Sequence, residues 1–339
     1  MMRHYNIPIF VPHRGCPHDC AFCNQKQITA TQAEPDAAQT EQIIETALST
    51  IPQDSEVEVA FFGGSFTGIP VETQRALLET VQPYWQSGRV RGIRLSTRPD
   101  YIKEEILQML REYHVTSIEL GVQSMRDEVL QKNARGHTAQ QVREASRLIR
   151  QAGFSLGLQM MVGLDGSTEA DERYTARELI SLKPDTVRIY PTIVLPDTEL
   201  MRRYEAGEYQ PLELDACVTL CAKLVDMFEE NHIQIIRLGL QSTELIHETG
   251  NLVGPYHSSF GELVYIRQFR DKIEALVKDV PGKTVCLCVN PKDISRAVGN
   301  RKSTLHYFAE TYHKTLRFCQ DKQQKRGAVT LCQQVKRVE

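Results

Sequence analysis

The 339-residue sequence predicts an α/β fold: a partial (β/α)6 barrel of the TIM type, followed by a small C-terminal α/β domain. Three observations predict it. Short runs rich in β-branched and apolar residues recur along the chain, segments with helical spacing of apolar residues separate them, and residues able to do chemistry follow directly after the runs. The runs are IPIFV (7–11), VEVAFF (57–62), GIRL (92–95), SIEL (117–120), SLGLQMMV (155–162), TVRIYP (186–191) and IQIIRL (233–238). Between them lie the helical segments 40–51, 72–85, 103–113, 139–153 and 214–231. Repeated βα units imply parallel strands joined by right-handed crossovers, and such barrels place their chemistry at the C-terminal strand ends.

Beyond about residue 245 the alternation weakens through GNLVGPYHSSFGE and PGK. The expected organisation is therefore a barrel over 1–245, a connecting segment over 246–282 and an α/β domain over 283–339. In that last domain TVCLCVN reads as a strand, PKDISRAVG and STLHYFAETY as helices around the loop NRK, and KTLRFC as a strand.

Composition excludes several classes. With 41% hydrophobic and 24% charged residues and no long apolar stretch, the chain reads as globular rather than disordered or membrane-spanning. The N-terminus MMRHYNIPIF lacks the layout of a signal peptide, so a cytoplasmic location is expected. The net charge is -3, yet residues 283–339 carry 12 Lys/Arg against 4 Asp/Glu, or +8, which leaves -11 on the rest. That asymmetry hints at an anionic partner such as nucleic acid.

Nine cysteines without a secretory signal point to ligands, reactive thiols or core residues rather than a disulfide framework. Cys16, Cys20 and Cys23 stand at Cys-x3-Cys-x2-Cys spacing on a loop after the first run. Three thiolates so close can hold three irons of a 4Fe-4S cube and leave the fourth open to a ligand. Zinc or core cysteines are the rival readings; His13 and His18 are near, but no paired fourth ligand follows. Cys286, Cys288, Cys319 and Cys332 offer thiols for a second metal, yet their apolar neighbours favour buried core thiols, and Cys217 and Cys221, one turn apart, read as core.

The triplet, with aromatic Phe22 before its third cysteine, resembles the signature of the radical S-adenosylmethionine superfamily. The resemblance continues through the strand ends to about residue 240. It implies that the unique iron binds the amino and carboxylate groups of S-adenosylmethionine, that an electron from a donor such as flavodoxin or ferredoxin enters the sulfonium, and that a 5'-deoxyadenosyl radical results. Cys16, Cys20 and Cys23 then serve as metal ligands and catalytic residues, with Phe10 the aromatic beside the cluster. Gly63, Gly64 and Ser65 match the glycine-rich segment against the methionine moiety, where a missing Cβ permits close approach. Ser96 matches the ribose position, Gln123 and Arg135 the ribose and carboxylate positions, and Gln159 stands where the coproporphyrinogen dehydrogenase branch has Asp for the adenosine.

FFGGSFTGIP, IRLSTRPDYI and SIELGVQSMRDEVLQKNARGHT resemble the radical domain of the Elongator catalytic subunit, which acts on transfer RNA. No acyl-CoA pyrophosphate motif is evident, so acetyl-CoA is not an expected partner. The tail resembles a KH-type RNA-binding module, whose G-x-x-G loop clamps nucleotide backbone. Here the loop is Gly299-Asn300-Arg301-Lys302, with Lys302 in place of the second glycine, and Lys292, Arg296, Gly299, Arg301 and Lys302 are the candidate RNA contacts. The combined expectation is an RNA-modifying enzyme, transfer RNA foremost. The alternatives are an oxidase of a small molecule such as a tetrapyrrole, and a non-catalytic RNA-binding protein with a structural cluster.

Overall fold

The computed structural model of the protein describes residues 3–11, 20–24, 35–240 and 252–332. Seven strands, β1 (His4–Val11), β2 (Glu56–Gly63), β3 (Gly92–Thr97), β4 (Val115–Gln123), β5 (Ser155–Val162), β6 (Thr186–Pro191) and β7 (Gln234–Leu238), form one sheet in sequential order with every pair parallel. All seven predicted runs are strands, and the runs at 155–162 and 186–191 coincide with β5 and β6 residue for residue. Seven strands in order define the curled half-barrel.

The crossovers contain α1 (Ala37–Thr50), α2 (Val71–Gln86), α3 (Glu104–Glu112), α4 (Asp127–Lys132), α5 (Ala139–Gln151), α6 (Glu169–Ser181), α7 (Glu199–Glu205) and α8 (Leu214–Glu230). Local chemistry starts several of them. Asp36 and Gln39, Thr138 and Gln141, and Thr168 and Asp171 close capping boxes, which satisfy backbone donors that the first helical turn leaves open.

Alternation along the strands divides the sheet into two unlike faces. Ile7, Ile9, Val57, Val59, Phe61, Ile93, Leu95, Ile118, Leu120, Leu156, Leu158, Val187 and Ile189 are fully buried beneath the helices. The opposite face carries Phe10, Phe62, Arg94, Ser96, Glu119, Gln159 and Arg188. Placing charge there requires compensation, because an unpaired buried ion is expensive. Glu119 is accordingly held by both Arg188 and Arg94, Arg94 also reaches Glu58 at 3.2 Å, and Glu58 accepts from Thr116 Oγ1 at 2.8 Å and meets His4 at 2.8 Å.

The chain divides into two compact units, residues 1–217 with 227–258, and residues 218–226 with 259–339. In the second, β8 (Thr284–Val289) lies between β9 (Thr315–Gln320), parallel to it, and β10 (Val329–Leu331), antiparallel. The segment expected to connect two domains contains an 18-residue helix, α9 (Phe260–Val277), whose Phe269, Ile273 and Val277 join a core with Val285, Leu287, Val289 and Phe308. Two shorter helices, α10 (Ile294–Val298) and α11 (Ser303–Thr311), complete the predicted strand-helix-loop-helix-strand order. Among the described residues no helix is long and apolar enough to cross a membrane.

Candidate active site

The described part of the cysteine loop, residues 20–24, is fixed from several sides. Cys23 N–H closes a turn onto Cys20 O at 2.9 Å; Ala21 donates to Asn133 O at 3.1 Å and accepts from Leu200 N at 2.8 Å. Asn24 Nδ2 donates to Pro196 O at 3.1 Å. Phe22 packs against Val129, Met161 and Leu164 on one side and against the cluster of Leu200 and Tyr209 on the other. The LPDTEL segment after β6 therefore works as a clamp on the cysteine loop, and so does buried Asn133, which donates to Val129 O and Asp165 O at 2.8 and 2.9 Å. No motif reading named Asn133, although KNARGHT placed it two residues from Arg135. Cys16 lies outside the described residues.

Four nominated residues converge on the end of β4. Arg135, 7% exposed, donates through Nη1 to Cys20 Sγ at 3.3 Å and through Nη2 to Gly121 O at 2.6 Å. Gln159 Nε2 donates to Gln123 Oε1 at 3.3 Å. Gln123 has φ of 70°, and the β4–β5 register shifts between Gly121 and Gln123. A bulge of this kind re-aims a side chain, and left-handed backbone at a non-glycine residue concentrates at functional sites. A Cβ on Gly121 would stand 2.7 Å from Arg135 Nη2, so glycine is what lets the guanidinium lie across the strand end.

The other nominated residues divide. Gly63 has φ of +105°, a backbone conformation that suits glycine after β2. Ser65 is fully buried, with its hydroxyl 2.8 Å from Thr97 Oγ1 and accepting from Arg98 N–H at 3.1 Å, so its side chain ties the glycine-rich turn to the end of β3. Phe10 pairs in register with Phe62, over whose ring Arg188 lies at 5.0 Å. Ser96 is half-buried on the same face as Arg94, opposite Glu119 in register.

Does the site suit a cluster with an anionic co-substrate? The donor set does. Buried Arg135 Nε has no hydrogen-bond partner among the described residues, and an orphaned guanidinium donor beside a cysteine sulfur fits a carboxylate bound next to it.

Two buried titratable groups flank the site with opposite pH behaviour. His137, 4% exposed, faces Val122 O through Nε2 at 3.1 Å; burial first, then the charges of Arg135 and Arg98, lower its pKa to about 3. It is neutral in the fold, so stability falls as pH drops below the ordinary value of 6.5. Glu172 accepts from Gly163 N–H and Ser167 Oγ at 2.9 and 2.8 Å, fixing the loop after β5, and burial raises it to about 7. Its stabilising contribution is complete below 4.5 and is lost as pH rises toward 7. Between 4.5 and 6.5 the slopes oppose each other, each about 1.4 kcal/mol per pH unit at most. Urea midpoints across this range are expected to fall with acidification in Glu172→Gln and to rise in His137→Gln. Flat profiles in both variants would refute the assignment.

In the second unit, the chain kinks sharply at the Gly299 turn. Gly299 has φ of +79°, where a Cβ would meet Ser303 Oγ at 2.4 Å, and Arg301 and Lys302 are left-handed at φ 48° and 63°. Lys292, Arg301 and Lys302 are exposed, whereas Arg296 lies over the Tyr265 ring at 4.1 Å and near Glu262 at 3.7 Å.

Cys217 and Cys221 are fully buried, as expected of core thiols. Cys286, Cys288, Cys319 and Cys332 depart from expectation. Rather than dispersing into the core, their sulfurs gather, because alternation on β8 sends Val285, Leu287 and Val289 inward and leaves the cysteines on the other face; Cys286 and Cys332 are only half-buried.

Residues 10–179 match the radical SAM superfamily and residues 184–270 the radical SAM C-terminal domain. A tRNA uridine(34) acetyltransferase of Methanocaldococcus jannaschii is 27% identical over 62% of this chain and 42% of its own length. Elongator complex protein 3 of Danio rerio is 30% identical over 50% of this chain and 35% of its own length. The chain thus spans about two-fifths of the length of these curated relatives. Among solved structures, an archaeal Methanocaldococcus infernus Elp3 superposes with a TM-score of 0.62 at 24% identity, covering 78% of this chain and 62% of that one. Coproporphyrinogen III oxidase of Escherichia coli, a radical SAM enzyme, gives 0.52 at 17%, covering 68% and 53%.

Proposed function

Because the chain belongs to the radical SAM superfamily, we propose that it binds a 4Fe-4S cluster through Cys16, Cys20 and Cys23, cleaves S-adenosylmethionine reductively there, and modifies RNA, with transfer RNA the favoured substrate. The observation that carries the first half is the convergence of Cys20, Arg135, Gln123 and Gln159 at one strand end. A cluster held by Cys16, Cys20 and Cys23 would, once reduced by an electron donor such as a flavodoxin or ferredoxin, supply the single electron for reductive cleavage of S-adenosylmethionine bound beside it.

The chain's own residues hold and orient. Arg135 offers its unpartnered Nε to a carboxylate while Nη1 stays on the Cys20 sulfur. Gln123 and Gln159 present amide groups from adjacent strands to a ribose or a base edge. Phe10 and Phe22 supply aromatic surface beside the cysteine loop, and the backbone of Gly63 and Gly64 allows close approach. Anaerobic reconstitution followed by assay for 5'-deoxyadenosine tests this half. A reconstituted protein that turns over no S-adenosylmethionine with a strong reductant would sink it.

The RNA half rests on the names of the relatives, the +8 of residues 283–339, and the exposed cations of the Gly299 turn. Exposed Lys292, Arg301 and Lys302 would meet phosphates from the surface around the Gly299 turn. Transfer RNA is expected to bind with affinity that falls steeply with salt. Joint Lys292→Ala, Arg301→Ala and Lys302→Ala should reduce the slope of log K against log salt by about 2 to 3, at roughly 0.7 to 0.9 per phosphate contact. An unchanged slope would remove this turn from the interface.

A further inference from the structure

We propose that Cys286, Cys288, Cys319 and Cys332 form a tetrathiolate site for a single zinc ion on the outer face of the small sheet. The inference is independent of the radical chemistry proposed above. Cys286 and Cys288 stand at i and i+2 on β8 and so share a face; Cys319 pairs directly with Cys288 across the parallel ladder. Cys332 follows β10 on the other side of β8, with its N–H on Cys286 O at 3.0 Å. Three strands therefore bring the sulfurs of Cys286, Cys319 and Cys332 within 4.8 Å of one another, with Cys288 beside Cys319 and Cys332. Cys332 Sγ lies 2.9 Å from Cys286 Sγ, 3.0 Å from Cys319 Sγ and 3.3 Å from Cys288 Sγ, while Cys288 and Cys319 are joined as a disulfide.

A disulfide accounts for two of these residues and leaves Cys286 and Cys332 stacked against it without a purpose. A metal accounts for all four. Tetrahedral zinc with Zn–S bonds of about 2.3 Å holds its sulfurs about 3.8 Å apart, comparable to the spread of Cys286, Cys319 and Cys332, whose sulfurs all lie within 4.8 Å of one another. A 4Fe-4S cube places each thiolate on a different iron and would force the group much wider apart. Arg317, opposite Cys286 in the β8–β9 register, supplies a nearby positive charge on a site that would carry -2. Burial of Val285, Leu287 and Val289 on the other face fixes β8, so the ligand directions are preorganised.

The disulfide and the metal are alternative states of the same thiols. A dithiol reductant delivers two electrons and two protons to the Cys288–Cys319 bond and is itself oxidised to a disulfide; four thiols then bind one Zn2+ and release four protons.

The test uses the full chain bearing Cys16→Ala, Cys20→Ala and Cys23→Ala, purified with a dithiol and analysed for metals. About one tightly held zinc per chain is expected, exchangeable for Co2+ with the absorption of tetrahedral thiolate coordination, and lost at least tenfold in Cys286→Ser and in Cys332→Ser. Wild-type chain measured alongside, with zinc released by a thiol-blocking mercurial, serves should the triple variant not fold. Iron with acid-labile sulfide in the triple variant would overturn the proposal, as would a reduced, folded chain that holds no zinc.

Discussion

Arg135→Ala is expected to weaken S-adenosylmethionine binding to the reconstituted protein by about 10- to 100-fold, the effect of removing 1.5 to 3 kcal/mol of charge-assisted hydrogen bonding. The guanidinium is buried, lies on the Cys20 sulfur and keeps one donor without a partner, so its removal cannot be replaced by water as readily as at the surface. Arg135→Lys keeps the charge but not the fork and should recover only part of the loss. Gly121→Ala offers the same test from the other side: its Cβ would occupy the space of Nη2 and displace the guanidinium without altering its chemistry. Titration of S-adenosylmethionine alongside iron analysis decides the matter. If affinity falls while iron content holds, Arg135 binds the co-substrate; if iron falls in parallel, its role is to position Cys20.

Much of this site was legible because its parts are local in sequence. Three cysteines within eight residues announce a metal, and βα alternation puts FFGGS, LSTRPD and GVQS at strand ends. What sequence does not display is convergence set by register. Asn133 clamps Ala21, and Cys319 meets Cys288, only because of how distant strands and loops pair. Apolar neighbours along β8 suggested core cysteines, but period-2 alternation gives a valine and the cysteine beside it opposite faces. Helix α9 was missed for a different reason. Turn residues before it masked the i, i+4 spacing of Phe269, Ile273 and Val277.

The same limit governs the charged face of the barrel. GIRLST and SIELGVQ alternate as any half-solvated strand would, and nothing in them says that Arg94 and Glu119 face one another from neighbouring strands with Arg188 beyond. Glu119 is 4% exposed and is the shared acceptor of both guanidinium groups, whose side chains are 13% and 18% exposed. For Arg188, burial opposes the charged form, and the bond to Glu119 more than offsets it. Glu119→Ala therefore strips the largely buried Arg188 of its carboxylate, while Arg94 keeps Glu58 at 3.2 Å. Breaking such a pair from one side is expected to cost about 3 to 5 kcal/mol, a large fraction of an ordinary domain's 5 to 15. Added salt should rescue little, since mobile ions screen exposed charges far better than buried ones. Combining Glu119→Met with Arg188→Met should recover much of the loss, because the desolvation of both ions disappears together. Urea unfolding of the single and double variants measures each step. A cost below about 1 kcal/mol for Glu119→Ala would mean the network behaves as an exposed pair. A double variant no better than the single would mean that Glu119 acts through packing, for instance by holding Arg188 over the Phe62 ring.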